Sequence, residues 1–267
     1  MGRFDWLELP KEGQPAPAPG EPDAAVVEKF DADYYLQLAA RVFDEGSFEE
    51  ALRYYSRALH LDRQLPIAWG GQVKCLIEMH EVAEAKTWTE KGLTQHLNDP
   101  DLLSSKGVLL AKSGRCEEAM ACSDRALSRP GQSVYPWLAR GEILLLAGTP
   151  TVAEHCFAKA LESCPNDWRT LSQIGRIYLR NGRYADAAEH FNRAVEGQPA
   201  NAALWTKLGQ AFDGLRLFSR ARSCFEKALQ FHPGDREAAE GLIKDSERSP
   251  GLIGRWIERL TQLFTVS

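Results

Sequence analysis

The chain lacks the short signatures that most often carry chemistry, and each absence removes a class of function. Its six cysteines, Cys75, Cys116, Cys122, Cys156, Cys164 and Cys224, include no CxxC pair, and none stands near a histidine at zinc-finger spacing. That excludes the familiar structural zinc modules and dithiol redox centres. The histidines (His60, His80, His96, His155, His190 and His232) form no HExxH and no nucleophile–base constellation. No glycine-rich phosphate loop is present either. The sequence therefore predicts no catalytic residue, no metal and no cofactor.

Long apolar runs are also missing. No stretch approaches the roughly 20 residues of a transmembrane helix. Met1–Pro10 carries acidic residues where a secretory leader would be apolar. Met1-Gly2 opens like a myristoylation site, but Trp6 stands where Ser or Thr is required. Net charge is −5, from 32 basic and 37 acidic residues, too mild to imply nucleic-acid binding. Most of it lies in residues 1–31, where seven carboxylates face Arg3, Lys11 and Lys29. A cytoplasmic location is the expectation, and reduced cysteines agree with it.

What the chain does have is a period. Ala51, Ala85, Ala119, Ala153, Ala187 and Ala221 stand 34 residues apart, as do Gly107, Gly141, Gly175 and Gly209. A third ladder runs Tyr35, Trp69, Leu103, Trp137, Leu171, Trp205. Cys122, Cys156 and Cys224 recur at one position as well, which marks them as small packing residues. Self-similarity at a fixed period of this length implies a solenoid, in which each unit buries its apolar face against its neighbours.

Within one period the pattern is a helical hairpin. Tyr35, Leu38, Ala39 and Val42 lie on one face of a first helix; Gly46 breaks it; Ala51, Tyr55 and Ala58 mark a second. The recurring small residues are placed where the two helices cross. Pro165, Pro199 and Pro233 end second helices, and Asp167, Asn201 and Asp235 follow as caps for the next ones. Pro66 and Pro100 fall at first helical positions, which tolerate proline. The first helix is expected to begin within Ala24–Phe30 or at Asp31.

These residues resemble the tetratricopeptide repeat family. The match is fullest at Leu171, Ile174, Gly175, Tyr178, Ala187, Phe191, Ala194 and Pro199. It is nearly as full at Trp205, Leu208, Gly209, Phe212, Ala221, Phe225, Ala228 and Pro233. It is weakest in the second unit, where Gln72, Val73, Thr89 and Gly92 replace the usual types. The resemblance implies an all-α, right-handed superhelical solenoid of helix-turn-helix hairpins. Six repeats are expected at 32–65, 66–99, 100–133, 134–167, 168–201 and 202–235. A capping helix at 236–248 and an amphipathic C-terminal helix at 249–267 would follow, and a disordered acidic, proline-rich tail at 1–31 would precede.

The resemblance also implies a use: a non-enzymatic adaptor whose concave groove binds a peptide or helix of another protein. Its groove positions transfer to Asp33, Leu36, Gln37 and Phe43; to Ile67, Lys74, Ile77 and Glu78; and to Asp101, Ser104, Ser105 and Lys112. The fourth repeat offers apolar Tyr135, Leu138, Ala139, Leu145 and Leu146, with Glu142 among them. The last two are basic and amide-rich, with Arg169, Ser172, Gln173, Arg176, Arg180, Thr206, Lys207 and Gln210. Tyr135, Leu138, Arg169, Gln173, Arg176, Arg180, Lys207 and Gln210 form the expected partner-binding groove, suited to an acidic peptide. The Lys/Asn set that grips the acidic tails of heat-shock chaperones is not met by any three consecutive repeats.

The ends offer two further docking segments. Phe4, Trp6 and Leu7 precede Pro15, Pro17, Pro19 and Pro22, a stretch of polyproline character. One expectation is that this acidic tail occupies the basic groove of the last two repeats. Trp256, Ile257, Leu260 and Phe264 share one face of the last segment, with Arg255 and Arg259 opposite. That face fits docking onto the chain's own solenoid or homo-oligomerisation better than contact with a membrane surface. The alternatives to an adaptor are a membrane-peripheral assembly factor held by this last helix, and the targeting subunit of an enzyme complex.

Overall fold

The computed structural model describes Phe4, Leu7 and residues 31–128, 133–162 and 164–248. Among them every regular element is a helix, and the chain divides into two compact units, residues 1–160 and 161–267. The first unit holds α1 (Ala32–Asp44), α2 (Phe48–Leu61), α3 (Pro66–Glu78) and α4 (Val82–Gln95). It continues with α5 (Pro100–Lys112), α6 (Cys116–Leu127), α7 (Tyr135–Leu146) and α8 (Pro150–Leu161), the last ending one residue past the boundary. The second holds α9 (Trp168–Arg180), α10 (Tyr184–Gly197), α11 (Ala202–Gly214), α12 (Phe218–Phe231) and α13 (Arg236–Arg248).

Each hairpin turns by the same device. Gly46, Gly114, Gly148 and Gly182 take φ between 70° and 81°, and His80 and Arg216 are likewise positive at φ 62° and 60°. These six positions are 34 apart. Just beyond each, a backbone N–H reaches back five residues to satisfy an orphan carbonyl of the first helix. Examples are Ser47 N to Val42 O at 3.1 Å, Arg183 N to Tyr178 O at 2.9 Å and Leu217 N to Phe212 O at 2.9 Å. A left-handed residue closing a helix this way is the Schellman arrangement, for which glycine is the natural occupant.

The first helices start equally regularly. The side chains of Asp31, Asp99, Asp167, Asn201 and Asp235 accept from the amides of Tyr34, Leu102, Thr170, Leu204 and Ala238. This fixes the start of α1 at Ala32, with Asp31 its cap. Pro66 and Pro100 occupy first-turn positions. In the aromatic and leucine ladder, Trp69 and Trp205 donate their indole N–H groups to Arg63 O (2.9 Å) and Pro199 O (2.8 Å). Each indole thereby ties a first helix to the end of the preceding second helix.

Close crossing accounts for the glycine ladder. A Cβ on Gly141, Gly175 or Gly209 would come within 2.2, 2.8 or 2.6 Å of the rings of Phe157, Phe191 or Phe225. These aromatic rings occupy the space that a side chain would need, so small and large residues interlock within a hairpin.

In the first unit the core contains more than the helices. Phe4 and Leu7 are buried, Leu7 completely, in one apolar cluster with Tyr35, Trp69, Leu76, Ile77, Trp88 and Leu102. The expectation of a free tail fails at these two residues. They belong to the core of the first unit.

Candidate partner-binding surface

The basic face expected of the second unit is built on α9 and α11, which lie in contact, with α13 packed on α11. Helix α9 owes its position to a marked division between faces. Leu171, Ile174, Ile177 and Tyr178 are buried, while Arg169 is exposed and Gln173 and Arg180 are half-buried. Arg169 stacks its guanidinium over the Trp168 ring at 4.6 Å. Arg176 is buried and donates to Ser172 Oγ at 3.0 Å. It is a fixed member of the helix face, where the sequence suggested a freely reaching cation.

The third part of this face was not legible from the pattern. Lys207 Nζ and Gln210 Nε2 both donate to Glu237 Oε2, at 2.6 and 2.9 Å. Glu237 comes from the first turn of α13. Desolvation alone would raise its carboxyl, but the Lys207 charge and the two donated hydrogen bonds hold it below the usual carboxylate range. Lys207 and Gln210 therefore hold a carboxylate of the chain's own α13. Nearby, Thr206 Oγ1 donates to Asp235 at 2.6 Å, and Lys244 pairs with Asp213 at 3.1 Å.

Gln210, Asp213, Glu237 and Lys244 line a cleft of about 850 Å³ in the second unit, together with Tyr184, Phe218 and others. Its charge is mixed, because α13 contributes acids opposite the α11 donors. The signal for it was the acidic start of α13, Asp235 and Glu237, because α13 begins at Arg236, one 34-residue period after α11 begins at Ala202. The 34-residue spacing places that start beside α11.

In the first unit the expected groove residues are largely engaged. Tyr135 is half-buried; its hydroxyl lies 3.2 Å from Ser105 Oγ, and Lys74 sits over its ring at 4.8 Å. Lys74 also pairs with Asp101 at 2.9 Å. Leu138 is completely buried, so the expectation that it offers an apolar contact to a partner is corrected: it is core. Glu142 is buried with Lys112 at 3.8 Å. Tyr135 and Leu138 stand in the first unit and the basic residues in the second. Phe4 and Leu7 are core, as above. Trp6, Trp256, Ile257, Leu260 and Phe264 lie outside the described residues.

Two family models match, both described as tetratricopeptide repeat, over residues 42–109 and 172–242. The chain is a tetratricopeptide repeat protein. A thermophilic tetratricopeptide repeat protein of Thermus thermophilus superposes with a TM-score of 0.50 at 21% identity, over 68% of this chain and 98% of that one. That likeness concerns the all-α repeat fold alone. By sequence, BBSome complex member BBS4 of Bos taurus is 22% identical over 247 residues, 76% of this chain and 46% of the relative. The CTR9 homolog of Arabidopsis thaliana is 27% identical over 160 residues, 54% of this chain and 15% of the relative. This tetratricopeptide repeat chain thus spans less than half the length of these relatives. Among its described residues, no helix is long and apolar enough to cross a membrane.

Proposed function

We propose that this chain is a non-enzymatic scaffold that binds a segment of another protein along the first helices of its repeats. The repeats are taken to be six, at 32–65, 66–99, 100–133, 134–167, 168–201 and 202–235, each opening with a first helix. The α9 and α11 face, carrying Arg169, Gln173 and Arg180, supplies the polar contacts. Guanidinium groups on a fixed helix suit carboxylates, and amides suit an extended backbone. The observation that carries this reading is the grip of Lys207 and Gln210 on the Glu237 carboxylate. It is an internal example of the recognition this surface would offer an acidic partner. A cytoplasmic setting belongs to the same proposal, supported by six free cysteines.

The test is capture from the native source, comparing the natural chain with Arg169→Glu/Gln173→Glu. Arg169 is exposed and Gln173 half-buried, both outside the apolar core, so the change reverses local charge with little effect on the core. A partner lost from the altered chain alone, and lost progressively with salt, is the expected result. Equal capture by both would remove this face from the binding surface.

A further inference from the structure

We infer that Phe4 and Leu7 form a built-in ligand, and that the first unit recognises a one-turn segment with an aromatic residue three places before a leucine. The inference concerns a surface separate from the α9 and α11 face. It begins with burial. Phe4 is 8% exposed and Leu7 fully buried, although both lie far outside the helical array in sequence. The amide of Leu7 donates to Phe4 O at 2.9 Å, a single helical turn that places the two side chains on one side.

The cluster they belong to includes groove positions. Ile77, at a groove position of the second repeat, is a buried member of the same cluster, and Leu36 and Phe43, groove positions of the first, pack against it. Ile67, another groove position of the second repeat, is 71% exposed. Among the groove positions of the second repeat, Ile77 is thus buried in the cluster that holds Phe4 and Leu7, and Ile67 is not. An apolar pair on one turn entering a groove between helices is a standard mode of peptide recognition.

The connection decides whether such a ligand can be exchanged. Twenty-four residues separate Leu7 from Ala32, and Pro10, Pro15, Pro17, Pro19 and Pro22 are among them. A tether of this kind gives an effective concentration on the order of mM. A segment of about 0.1 mM intrinsic affinity is then mostly bound in cis, and it weakens a competing peptide by about tenfold. A partner bearing the same aromatic-x-x-leucine turn would displace it.

The experiment uses the full-length chain and a fluorescent peptide of residues 1–10, MGRFDWLELP. Phe4→Ala/Leu7→Ala in the protein should raise affinity for the peptide about tenfold over the natural chain. The same pair of changes in the peptide should abolish binding to both. Binding to neither protein, or equally to both, overturns the inference. If the altered chain fails to fold, a specific protease site placed at residues 14–19 of the natural sequence allows the folded chain to be cut. Release of the N-terminal fragment on dilution, with helical signal retained, supports an exchangeable ligand; unfolding on release, or retention throughout, overturns it. Arg169→Glu/Gln173→Glu should leave peptide affinity unchanged, so failure here and failure of the scaffold reading are told apart.

Discussion

His80 and Arg216 hold the left-handed conformation that glycine takes at the four equivalent turns. A side chain there costs about 1–2 kcal/mol, only partly offset by the entropy a glycine loses on folding. His80→Gly and Arg216→Gly should each stabilise the protein by about 0.5–1 kcal/mol, read from urea midpoints. The opposite holds at helix crossings. Gly141→Ala places a methyl against the Phe157 ring and should cost about 1–3 kcal/mol by the same measurement. Of the turn positions the sequence pattern singled out only Gly46; the other turns and the two departures emerge from the backbone. The crossing glycines were visible in the sequence, but which ring opposed each one was a matter of packing. Gln72 is a residue-scale cost of another kind. Its amide is fully buried, and neither polar atom has a partner. An unpaired buried amide costs about 1–3 kcal/mol, so Gln72→Leu, similar in volume and the type expected there, should raise stability by about 1–2 kcal/mol.

Helix α13 shows how a polar element is held. It buries Ala238 in an apolar cluster with Leu242 packed against it, and ion pairs tie it to both neighbours: Glu237 to Lys207 on α11, and Asp245 to Arg222 on α12 at 2.6 Å. Asp245 is buried, so removing its partner strands a charge. Arg222→Met should destabilise the protein by about 3 kcal/mol. Glu237 acts through pH. Its carboxyl is held below its ordinary value of about 4.3, so its contribution is present above that pH and is lost as pH falls through the lower folded value. Glu237 is exposed enough for solvent screening to limit the effect to below about 1 kcal/mol. The natural chain should melt higher than Glu237→Gln at pH 7, and the difference should shrink as pH falls below the ordinary carboxylate value.

Across the molecule, cysteine reactivity reports which surfaces are sealed. Cys75, Cys156 and Cys224 are buried within hairpins, and burial pushes the Cys224 thiol up to about 11. Cys164 is exposed. A thiol reagent applied to the native chain should modify Cys164 first, and Cys75 and Cys224 only after denaturant is added. Mass spectrometry of digested samples distinguishes them. Early labelling of Cys75 would show that the apolar cluster with Phe4 and Leu7 opens readily.

The 34-residue period, the hairpin within it, the capping Asp and Asn residues and the glycines at crossings were all determined by the sequence. Each depends on contacts made within one repeat or with the next, so a local pattern is enough to specify it. The second repeat, whose Gln72, Thr89 and Gly92 match least, still forms two helices, because its neighbours bury both of its sides. The tertiary structure alone decided which expected surface residues stay available. Leu138 entered the core, and Lys207 and Gln210 were taken by Glu237. Phe4 and Leu7 joined the apolar cluster of the first unit, although the acidic charge of their segment suggested the basic face of the second. Periodicity places a residue on a face. It cannot say which other segment covers that face, since the covering segment comes from outside the repeat and is chosen by apolar burial and charge pairing at a distance.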